Sequence, residues 1–312
     1  MMTGVTPLTP AVFEQPEFPA YELVDTGLGE KLERYGDVLV RRPDPQALWR
    51  RRLDERAWER AALAFERDPA SGGQRGRWRV APDAPPALRA ERPEWRVAWG
   101  GAVALLRPTP FKHLGLFPEQ AATWAFIAER VARAGRSGGA RPRVLNLFGY
   151  TGMASVVAAL AGAEVTHVDA SRSSIAWARE NAAASGLGGA GLRIVLEDSL
   201  AFAQRAARRG EVFEGVLLDP PHHGKGPKSE RWQFEEHAAL LVERAAALLA
   251  PDAFLVLTAY AFGTSPLALA GLLAGVEGEL EAGELALREA RGGRLLPCGF
   301  CARLARGRLG GA

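Results

Sequence analysis

Two kinds of apolar segment alternate along the second half of the chain. Short strand-like runs lie at 143–148, 164–169, 192–197, 215–219 and 253–258. Helical segments lie between and around them, at 119–134, 153–161, 173–185, 199–208, 234–249 and 266–274. Apolar strands that alternate with helices are typical of a parallel sheet covered on both faces. The sequence therefore predicts an α/β fold with a doubly wound sheet.

The ends of some of these segments carry signals of their own. Ser171 and Ser173 are both candidate N-caps for the helix at 173–185, and Gly186 is placed to end it. The last two strand-like runs, at 284–290 and 295–302, are joined by Arg291-Gly292-Gly293. A short glycine-containing link indicates a hairpin. We therefore expect the mostly parallel sheet to end in an antiparallel C-terminal hairpin.

The first half of the chain has a different pattern. Residues 1–20 contain four prolines and predict an extended arm. Strand-like runs broken by turns follow, at 21–25, 37–41, 76–80, 95–99 and 102–106, with one helical stretch at 54–65. We predict three parts from these patterns: the arm (1–20), a small β-rich domain (21–110) and the α/β domain (111–312).

The first candidate site motif is the glycine turn after the strand at 143–148. The strand leads through Phe148-Gly149-Tyr150-Thr151-Gly152 into a helix. Open α/β sheets bind ligands at this end of their strands, and glycine lets the backbone approach a ligand. The turn has G-x-x-G, whereas a dinucleotide site has G-x-G-x-x-G. The ligand therefore need not contain a pyrophosphate, and an ordinary tight turn remains the alternative.

Acidic residues follow the next two strands. Asp169 lies 20 residues after Gly149, where a carboxylate can accept both hydroxyls of an adenosine ribose. The alternative is an acid that caps a helix. Asp198 is placed to accept a hydrogen bond from an adenine amino group, or to cap the helix that begins at Ser199. One residue could fill both roles, so the two interpretations of Asp198 stay open.

The fourth strand runs into Asp219-Pro220-Pro221-His222-His223. Two prolines prevent a helix and fix the chain, so Asp219 can be held in the pocket. His222 or His223 could accept a proton near neutral pH, or both could be exposed loop residues. We expect an acceptor to enter between the loop at 222–232 and the N-terminal β-rich domain. The glycines of this loop would let it close over a substrate, and its cations would neutralise phosphates; these are Lys225, Lys228 and Arg231. A solvated loop with incidental charge is the alternative.

This ordered set of motifs resembles the class I S-adenosylmethionine-dependent methyltransferases. More narrowly, it is similar to the bacterial family that includes the 23S ribosomal RNA cytosine-C5 and guanine-N7 methyltransferases. The resemblance spans residues 113–302 and depends on 147–152, on Asp219-Pro220-Pro221 and on 113–120, a stretch that packs against the cofactor in relatives. It implies a Rossmann-like sheet of seven strands, a small β-rich N-terminal domain and S-adenosyl-L-methionine as cofactor.

The resemblance also implies roles for individual residues. The expected catalytic residues are Asp219, Pro220, Pro221 and His222. The expected cofactor-binding residues are Gln120, Asn146, Phe148, Gly149, Tyr150, Gly152, Asp169, Ala170, Asp198, Ser199 and Asp219. The chain departs from the family pattern at two places. Asn146 stands where relatives have an acid, and His222-His223 stands where they often have Lys-Phe or Thr-Phe.

The chain has two cysteines, Cys298 and Cys301, in a run that reads as a late strand. No second ligand pair accompanies them, so neither a zinc site nor a redox motif is expected. We expect both cysteines to lie far from Asp219. Methylation at cytosine C5 needs a cysteine thiolate that adds at C6, so their position disfavours that chemistry. His222, His223 and His237 lack the spaced carboxylates of a metal site.

Composition restricts the remaining function classes only loosely. The formal net charge of +3 permits an RNA partner without requiring one. The abundance of arginine could serve phosphate recognition or could reflect codon bias. No apolar run is long enough to span a membrane, and 1–20 does not resemble a signal peptide, so we expect a cytoplasmic protein. Methylation of a nucleobase in 23S ribosomal RNA is the leading hypothesis. The alternatives are a methyltransferase for a small molecule or a protein, and a catalytically silent RNA-binding protein.

Overall fold

The structure is a computed structural model that describes residues 9–71, 75–138, 140–188, 191–226, 230–260 and 263–310. The strands of the first part are β1 (Ala11–Glu14), β2 (Tyr21–Gly27), β3 (Glu30–Tyr35), β4 (Val38–Pro43), β5 (Leu63–Arg67), β6 (Gly76–Val80), β7 (Trp95–Trp99) and β8 (Ala102–Leu106). Those of the second part are β9 (Arg143–Leu147), β10 (Glu164–Asp169), β11 (Leu192–Leu196), β12 (Phe213–Leu218), β13 (His223–Lys225), β14 (Arg231–Gln233), β15 (Leu249–Ala259), β16 (Glu279–Arg288) and β17 (Leu295–Arg306). The α-helices are α1 (Glu55–Glu59), α2 (Ala121–Gly138), α3 (Met153–Leu160), α4 (Arg172–Ala184), α5 (Ser199–Arg208), α6 (Phe234–Ala246) and α7 (Pro266–Leu273).

The large sheet has the strand order β1-β16-β17-β15-β12-β9-β10-β11. Its strands β15, β12, β9, β10 and β11 are parallel, and β17 is antiparallel to both β15 and β16. The predicted doubly wound sheet with a C-terminal antiparallel hairpin is therefore confirmed. The prediction of seven strands is wrong for the described part of the chain, because Ala11–Glu14 adds an eighth strand parallel to β16.

The eighth strand comes from the N-terminal arm. Ala11 pairs with Gly283, and the space that a Cβ at Gly283 would fill is occupied by the Ala11 carbonyl oxygen, at 2.1 Å. An ion pair between Glu14 and Arg288 joins the same two strands. Residues 11–14 of the arm are therefore part of the large sheet. A strand of four residues among prolines has too little alternation to be recognised from sequence.

Helices cover both faces of the large sheet. Leu145 and Leu147 of β9 pack in one apolar cluster with side chains of α5, α6 and α7. Val144 points to the other face and packs with α2 and α3. This alternation is the period of two that a strand imposes on its side chains. At α4, Ser171 is the N-cap, accepting from Ser174 N, and Gly186 follows the helix at φ +77, as predicted.

The β-rich part contains a five-stranded sheet, β2-β3-β4-β5-β6, and the hairpin β7-β8. The helix predicted at 54–65 is wrong in its second half: α1 ends at Glu59, and Leu63–Arg67 forms β5 against β6. Pairing with β6 overrides the local helical preference of an alanine-rich segment.

The strand β3 was not predicted, because four of its six residues are charged. Glu33 is buried, where it accepts hydrogen bonds from Tyr21 and Tyr35 and pairs with Arg42 at 2.5 Å. Lys31 is also buried and pairs with Asp44 at 3.2 Å. Buried charges of this kind are tolerated only when they are paired. The partners are distant in sequence, so no local pattern predicts them.

The β-rich part and the α/β part share one apolar core. Val97 and Leu106 belong to the same cluster as Trp124, Met153 and Val156. The Trp177 indole of α4 donates to Leu105 O at 2.8 Å, which fixes β8 on that helix. The division of the chain at residue 110 stays a prediction, and the contacts mean that side chains before it can reach the site. Among the described helices, none combines the length and apolarity needed to cross a bilayer.

Candidate active site

A cavity of about 1070 Å³ opens where β9, β10, β11 and β12 end. Each of these strands places one residue of the cavity lining at or just after its end: Phe148, Asp169, Asp198 and Asp219. Parallel strands end at the same edge of a sheet, so residues distant in sequence meet here. The volume is at the upper limit of ordinary small-molecule sites. The predicted motifs are thus brought together at one cavity.

The glycine turn has a strained backbone. Phe148 and Tyr150 have φ values of 58° and 50°. These lie in the left-handed region, which residues other than glycine rarely adopt. The Gly149 N–H donates to Val168 O at 3.0 Å and the Phe148 N–H to Ser199 Oγ at 3.0 Å, which holds the turn in this form. Strain maintained by such bonds is typical of functional sites. Both aromatic side chains line the cavity.

The reason for glycine at 149 differs from the one expected. A Cβ there would lie 2.3 Å from the His167 ring, so it would meet the neighbouring strand. The glycine is required by packing inside the protein, and the expectation that it also lets the backbone approach a ligand stays a prediction. Beneath it, Ser155 Oγ lies 3.0 Å from His167 Nδ1 and accepts from Asn146 Nδ2 at 2.8 Å.

This buried network also gives Asn146 a role. Burial lowers the pKa of His167 to about 4, so its ring is neutral at physiological pH. The Asn146 amide donates to the Ser155 hydroxyl below the turn. Asn146 also lines an inner recess of the site, so its predicted contact with the cofactor stays a prediction.

Substituting Gly149 by alanine should destabilise the protein. The added methyl group must displace the His167 ring or the turn, and overpacking of this kind costs about 1–3 kcal/mol of unfolding free energy. Gly271→Ala is the matched control, because a Cβ at this helical position meets nothing within 4 Å and should stabilise by about 0.5–1 kcal/mol. Urea denaturation measures both. Equal stability of Gly149→Ala and the wild type would contradict the packing role.

Asp169 is held at the edge of the cavity by two backbone groups. Its Oδ2 accepts from Tyr150 N and its Oδ1 from Ser171 N, both at 2.8 Å. Each carboxylate oxygen keeps a free acceptor position, since ionised carboxylates have about four. Burial raises the pKa of Asp169. The N-cap of α4 is Ser171, so capping does not account for Asp169.

The next acid serves as a cap. Asp198 Oδ1 accepts from Ala201 N at 2.9 Å at the start of α5, and Asp198 also lines the cavity. The capping interpretation is therefore confirmed, while adenine recognition stays a prediction. Ser199 is buried and does not line the cavity; its hydroxyl accepts from the Phe148 N–H. Ser199 therefore supports the glycine turn, and its direct contact with the cofactor stays a prediction.

An inner recess of about 60 Å³ adjoins the cavity beside the glycine turn. Gln120 and Asp219 line it, as does Thr123, whose buried hydroxyl has no hydrogen-bond partner in the described part of the chain. Gln120 Nε2 donates to the Tyr260 hydroxyl at 2.9 Å. A buried hydroxyl without a partner is costly unless a ligand or water completes it. The recess therefore suits the polar end of a ligand such as S-adenosylmethionine.

The Asp-Pro-Pro turn is fixed from two sides. The Thr258 hydroxyl donates to Asp219 Oδ1, and the Trp232 indole donates to Pro221 O at 2.6 Å. Burial raises the pKa of Asp219 to about 6, with the buried Glu119 carboxyl adding to the increase and the Thr258 bond opposing it. Asp219, Pro220, Pro221 and His222 all line the cavity, as predicted.

The segment after this turn is more ordered than expected. His223–Lys225 pairs with Arg231–Gln233 as a short antiparallel hairpin, so the expectation of a mobile loop is wrong for these residues. His222 Nε2 lies 2.6 Å from Glu235 Oε1, and its ring stacks on His223 at 3.9 Å between centroids. Arg231 is exposed and pairs with Glu236 at 3.2 Å. Lys228 lies outside the described residues.

The cysteine expectation needs correction. Because β17 runs antiparallel beside β15, Cys298 reaches the wall of the cavity that Asp219 also lines, and Cys301 pairs with Thr258. The two cysteines are therefore not remote from Asp219. Burial raises the pKa of the Cys298 thiol well above its usual range, and that of Cys301 to about 12. Among the described residues, no group of three metal-ligating side chains is present.

One wall of the cavity is formed by Asp44 and Gln46 of the β-rich part and by the loop after β8 that contains Phe111, Lys112 and His113. The sequence predicted the β-rich domain beside the acceptor, but these residues of the wall were not predicted. His113 was noted only as the start of the stretch ahead of α2. Burial lowers its pKa to about 3, so this ring is neutral.

A family model and curated proteins match parts of the chain. The family model "Conserved hypothetical protein 95" matches residues 126–269. The chain is 38% identical over 131 residues to the ribosomal RNA large subunit methyltransferase K/L of Shewanella sp. (strain W3-18-1), covering 42% of this chain and 17% of that protein. The same enzyme of Shewanella frigidimarina is 32% identical over 158 residues, covering 50% and 21%. The chain thus spans only about a fifth of the length of these relatives.

A solved structure matches nearly the whole chain. The SAM-dependent methyltransferase from Agrobacterium tumefaciens superimposes with a TM-score of 0.87 at 38% identity and covers 98% of each chain. The match therefore includes the N-terminal arm, the β-rich part and the α/β part together.

Proposed function

Because this chain belongs to the S-adenosylmethionine-dependent methyltransferases, we propose that it methylates a nucleobase of ribosomal RNA. The observation that carries the proposal is the cavity. It joins the predicted cofactor residues to the Asp-Pro-Pro turn and to a second wall from the β-rich part. About 1070 Å³ leaves room for an acceptor beside the cofactor. The relatives that are named for ribosomal RNA of the large subunit support 23S RNA as the substrate.

The residues at the strand ends would hold the cofactor. Asp169 would accept the ribose hydroxyls, Asp198 the adenine amino group, and Gln120 with Thr123 would face the amino-acid end. Phe148 and Tyr150 would enclose it, and Gly149, Asn146 and Ala170 line the site beside them. Gly152 lines neither cavity; its φ of 84° carries the turn into α3. Bound there, S-adenosylmethionine supplies a methyl group already activated for displacement.

The chain's own contribution to the chemistry is orientation and a proton acceptor. The Asp219 carboxylate would accept a hydrogen bond from an N–H of the base, orient the nitrogen lone pair towards the methyl group and take the proton that the nitrogen loses on methylation. Pro220 and Pro221 keep the carboxylate in place, and the indole bond to Pro221 O fixes the turn. His222, tied to Glu235, lines the acceptor side. A base must leave its stack to reach this depth.

A nitrogen acceptor fits the site better than cytosine C5. Carbon methylation needs a cysteine thiolate, and burial keeps the Cys298 thiol protonated even though it lines the cavity. The double variant Cys298→Ser/Cys301→Ser should therefore retain methyl transfer. A covalent RNA adduct that depends on Cys298, or loss of transfer with fold and cofactor binding intact, would establish the C5 reaction instead.

Mass-spectrometric mapping of ribosomal RNA tests the proposed substrate. A strain that lacks this chain should lose one methylated nucleotide, which the wild type restores and Asp219→Asn does not. Unchanged ribosomal RNA would refute the proposal and favour a small molecule or a protein as acceptor. The absence of cofactor binding in calorimetry would favour a silent RNA-binding protein. We also propose a cytoplasmic location, since bacterial ribosomal RNA is made and modified there.

A further inference from the structure

The cavity wall from the β-rich part has features that none of the methyltransferase motifs requires. Two adjacent residues of the loop after β8, Phe111 and Lys112, line it. We infer that they form a nucleotide-binding element of the acceptor site, in which the Phe111 ring stacks on a base of single-stranded RNA and the Lys112 ammonium binds its phosphate. The inference rests on the proposed RNA substrate and names the residues that recognise it.

Hydrogen bonds hold this loop in one conformation. Thr109 N donates to His113 O at 3.0 Å, which closes the loop on itself. Its outer side is fixed to β6, where Gly76 N donates to Pro110 O at 3.0 Å and the Trp78 indole donates to Thr109 O at 2.7 Å. Lys112 has φ +64 and its carbonyl accepts from Arg42 at 3.3 Å. A bulky residue kept at positive φ by its surroundings is characteristic of ligand sites.

Phe111 is 47% exposed at the cavity. Among the large apolar side chains that are exposed in the described part of the chain, it is the one aromatic residue. The guanidinium of Arg75 lies over the Phe111 ring, 5.3 Å from its centroid, which places positive charge beside the ring. An exposed ring beside cations is the arrangement on which proteins stack bases of single-stranded nucleic acid. A carboxylate metabolite would make no use of the ring.

The Lys112 ammonium has unused hydrogen-bond donors, and positively charged side chains lie near it. Its ammonium donates to Pro43 O at 3.3 Å, which uses one of three donors. No carboxylate of the described residues lies within 4.0 Å of it, and the nearby Asp44 pairs with Lys31. Burial and the charges of Lys31 and Arg42 lower the pKa of Lys112 to about 8. An incoming phosphate would supply the missing negative charge.

The use of lysine here stands out in the sequence. The chain has four lysines among 39 basic residues, at positions 31, 112, 225 and 228. Lys225 and Lys228 therefore belong to the predicted RNA loop, and Lys112 lies on this wall. A compact ammonium suits a single phosphate contact in a confined space, whereas guanidinium is suited to bidentate pairing.

Fluorescence anisotropy with a labelled single-stranded oligoribonucleotide of mixed sequence tests the inference on the full chain. Lys112→Gln should weaken binding and reduce the magnitude of the salt slope by about 0.7, the value for one phosphate contact on a single strand. Phe111→Leu should weaken binding by about tenfold without changing the salt slope, because it removes the aromatic ring on which one base stacks but no charge. Lys112→Arg and Phe111→Tyr, which keep charge and ring, should retain most of the affinity.

Matched controls come from the far side of the molecule. Arg193→Gln removes one exposed positive charge from β11, and Val212→Ala removes exposed apolar area just before β12; neither residue lines the cavity. Both controls should bind RNA as the wild type does, and all variants should keep their cofactor affinity in calorimetry. Wild-type RNA binding that is unchanged in Lys112→Gln and Phe111→Leu overturns this inference alone. No RNA binding by the wild type overturns it together with the proposed function.

Discussion

Replacing Asp169 by alanine should weaken S-adenosylmethionine binding at least about a hundredfold. The change removes two hydrogen bonds from the ribose hydroxyls to a carboxylate, and bonds to charged groups contribute about 1.5–3 kcal/mol each. The free energy lost is then about 3 kcal/mol or more, which is two orders of magnitude in the dissociation constant. Isothermal titration calorimetry measures the effect directly.

The substitution also removes two acceptors of the protein itself, since Asp169 accepts from Tyr150 N and Ser171 N. Thermal unfolding must therefore accompany the titration. Asp169→Asn is the control for this, because it keeps one oxygen for the backbone while losing the charge, and we expect an intermediate affinity. A folded Asp169→Ala variant that binds the cofactor as tightly as the wild type would remove Asp169 from the site.

Replacing Asp219 by asparagine should reduce the rate of methyl transfer by about 10²–10⁴, the usual contribution of a positioned proton acceptor. Cofactor affinity should change much less than the rate. The amide retains the shape of the carboxylate and one acceptor oxygen, but it cannot take a proton. Single-turnover kinetics with RNA separates the transfer step from binding. A rate close to that of the wild type would show that Asp219 does not act on the acceptor.

The same residue predicts a pH dependence. The pKa of Asp219 is raised to about 6, so the carboxylate is the main form only above that pH. The wild-type rate should therefore rise with pH through about 6, whereas the Asp219→Asn rate should not. Thr258→Val removes a hydrogen bond that lowers this pKa, so its inflection should move to higher pH. An inflection that stays in place in Thr258→Val would assign it to another group.

The sequence predicted the cofactor side of the site because its geometry is local to each strand. Asp169, Asp198 and Asp219 each follow an apolar run, and parallel strands bring such positions to one edge. The alternation of strands and helices was enough to predict that these three acids lie close together. The capping role of Asp198 could be read from its position before a helix as well.

The β-rich domain was predicted beside the acceptor, but most residues of that side could not be, because they depend on pairing between distant segments. Cys298 reaches the cavity only because β17 lies beside β15, and the strand from Ala11–Glu14 depends on β16. Phe111 and Lys112 follow β8, and they reach the cavity because the β-rich part shares a core with the α/β part. The strand β3 could not be predicted for the same reason. Its charged side chains Glu33 and Lys31 are neutralised by Arg42 and Asp44, which lie outside the strand.

Methyl transfer by the purified chain tests the central claim most directly. The measurement uses S-adenosylmethionine with a labelled methyl group and ribosomal RNA from a strain that lacks this chain. The account predicts incorporation of one methyl group per RNA molecule at a single nucleotide, with none in the Asp219→Asn variant and none in RNA from the parental strain. Cofactor binding by the wild type without any transfer of label to that RNA, free or in ribosomal particles, would contradict it.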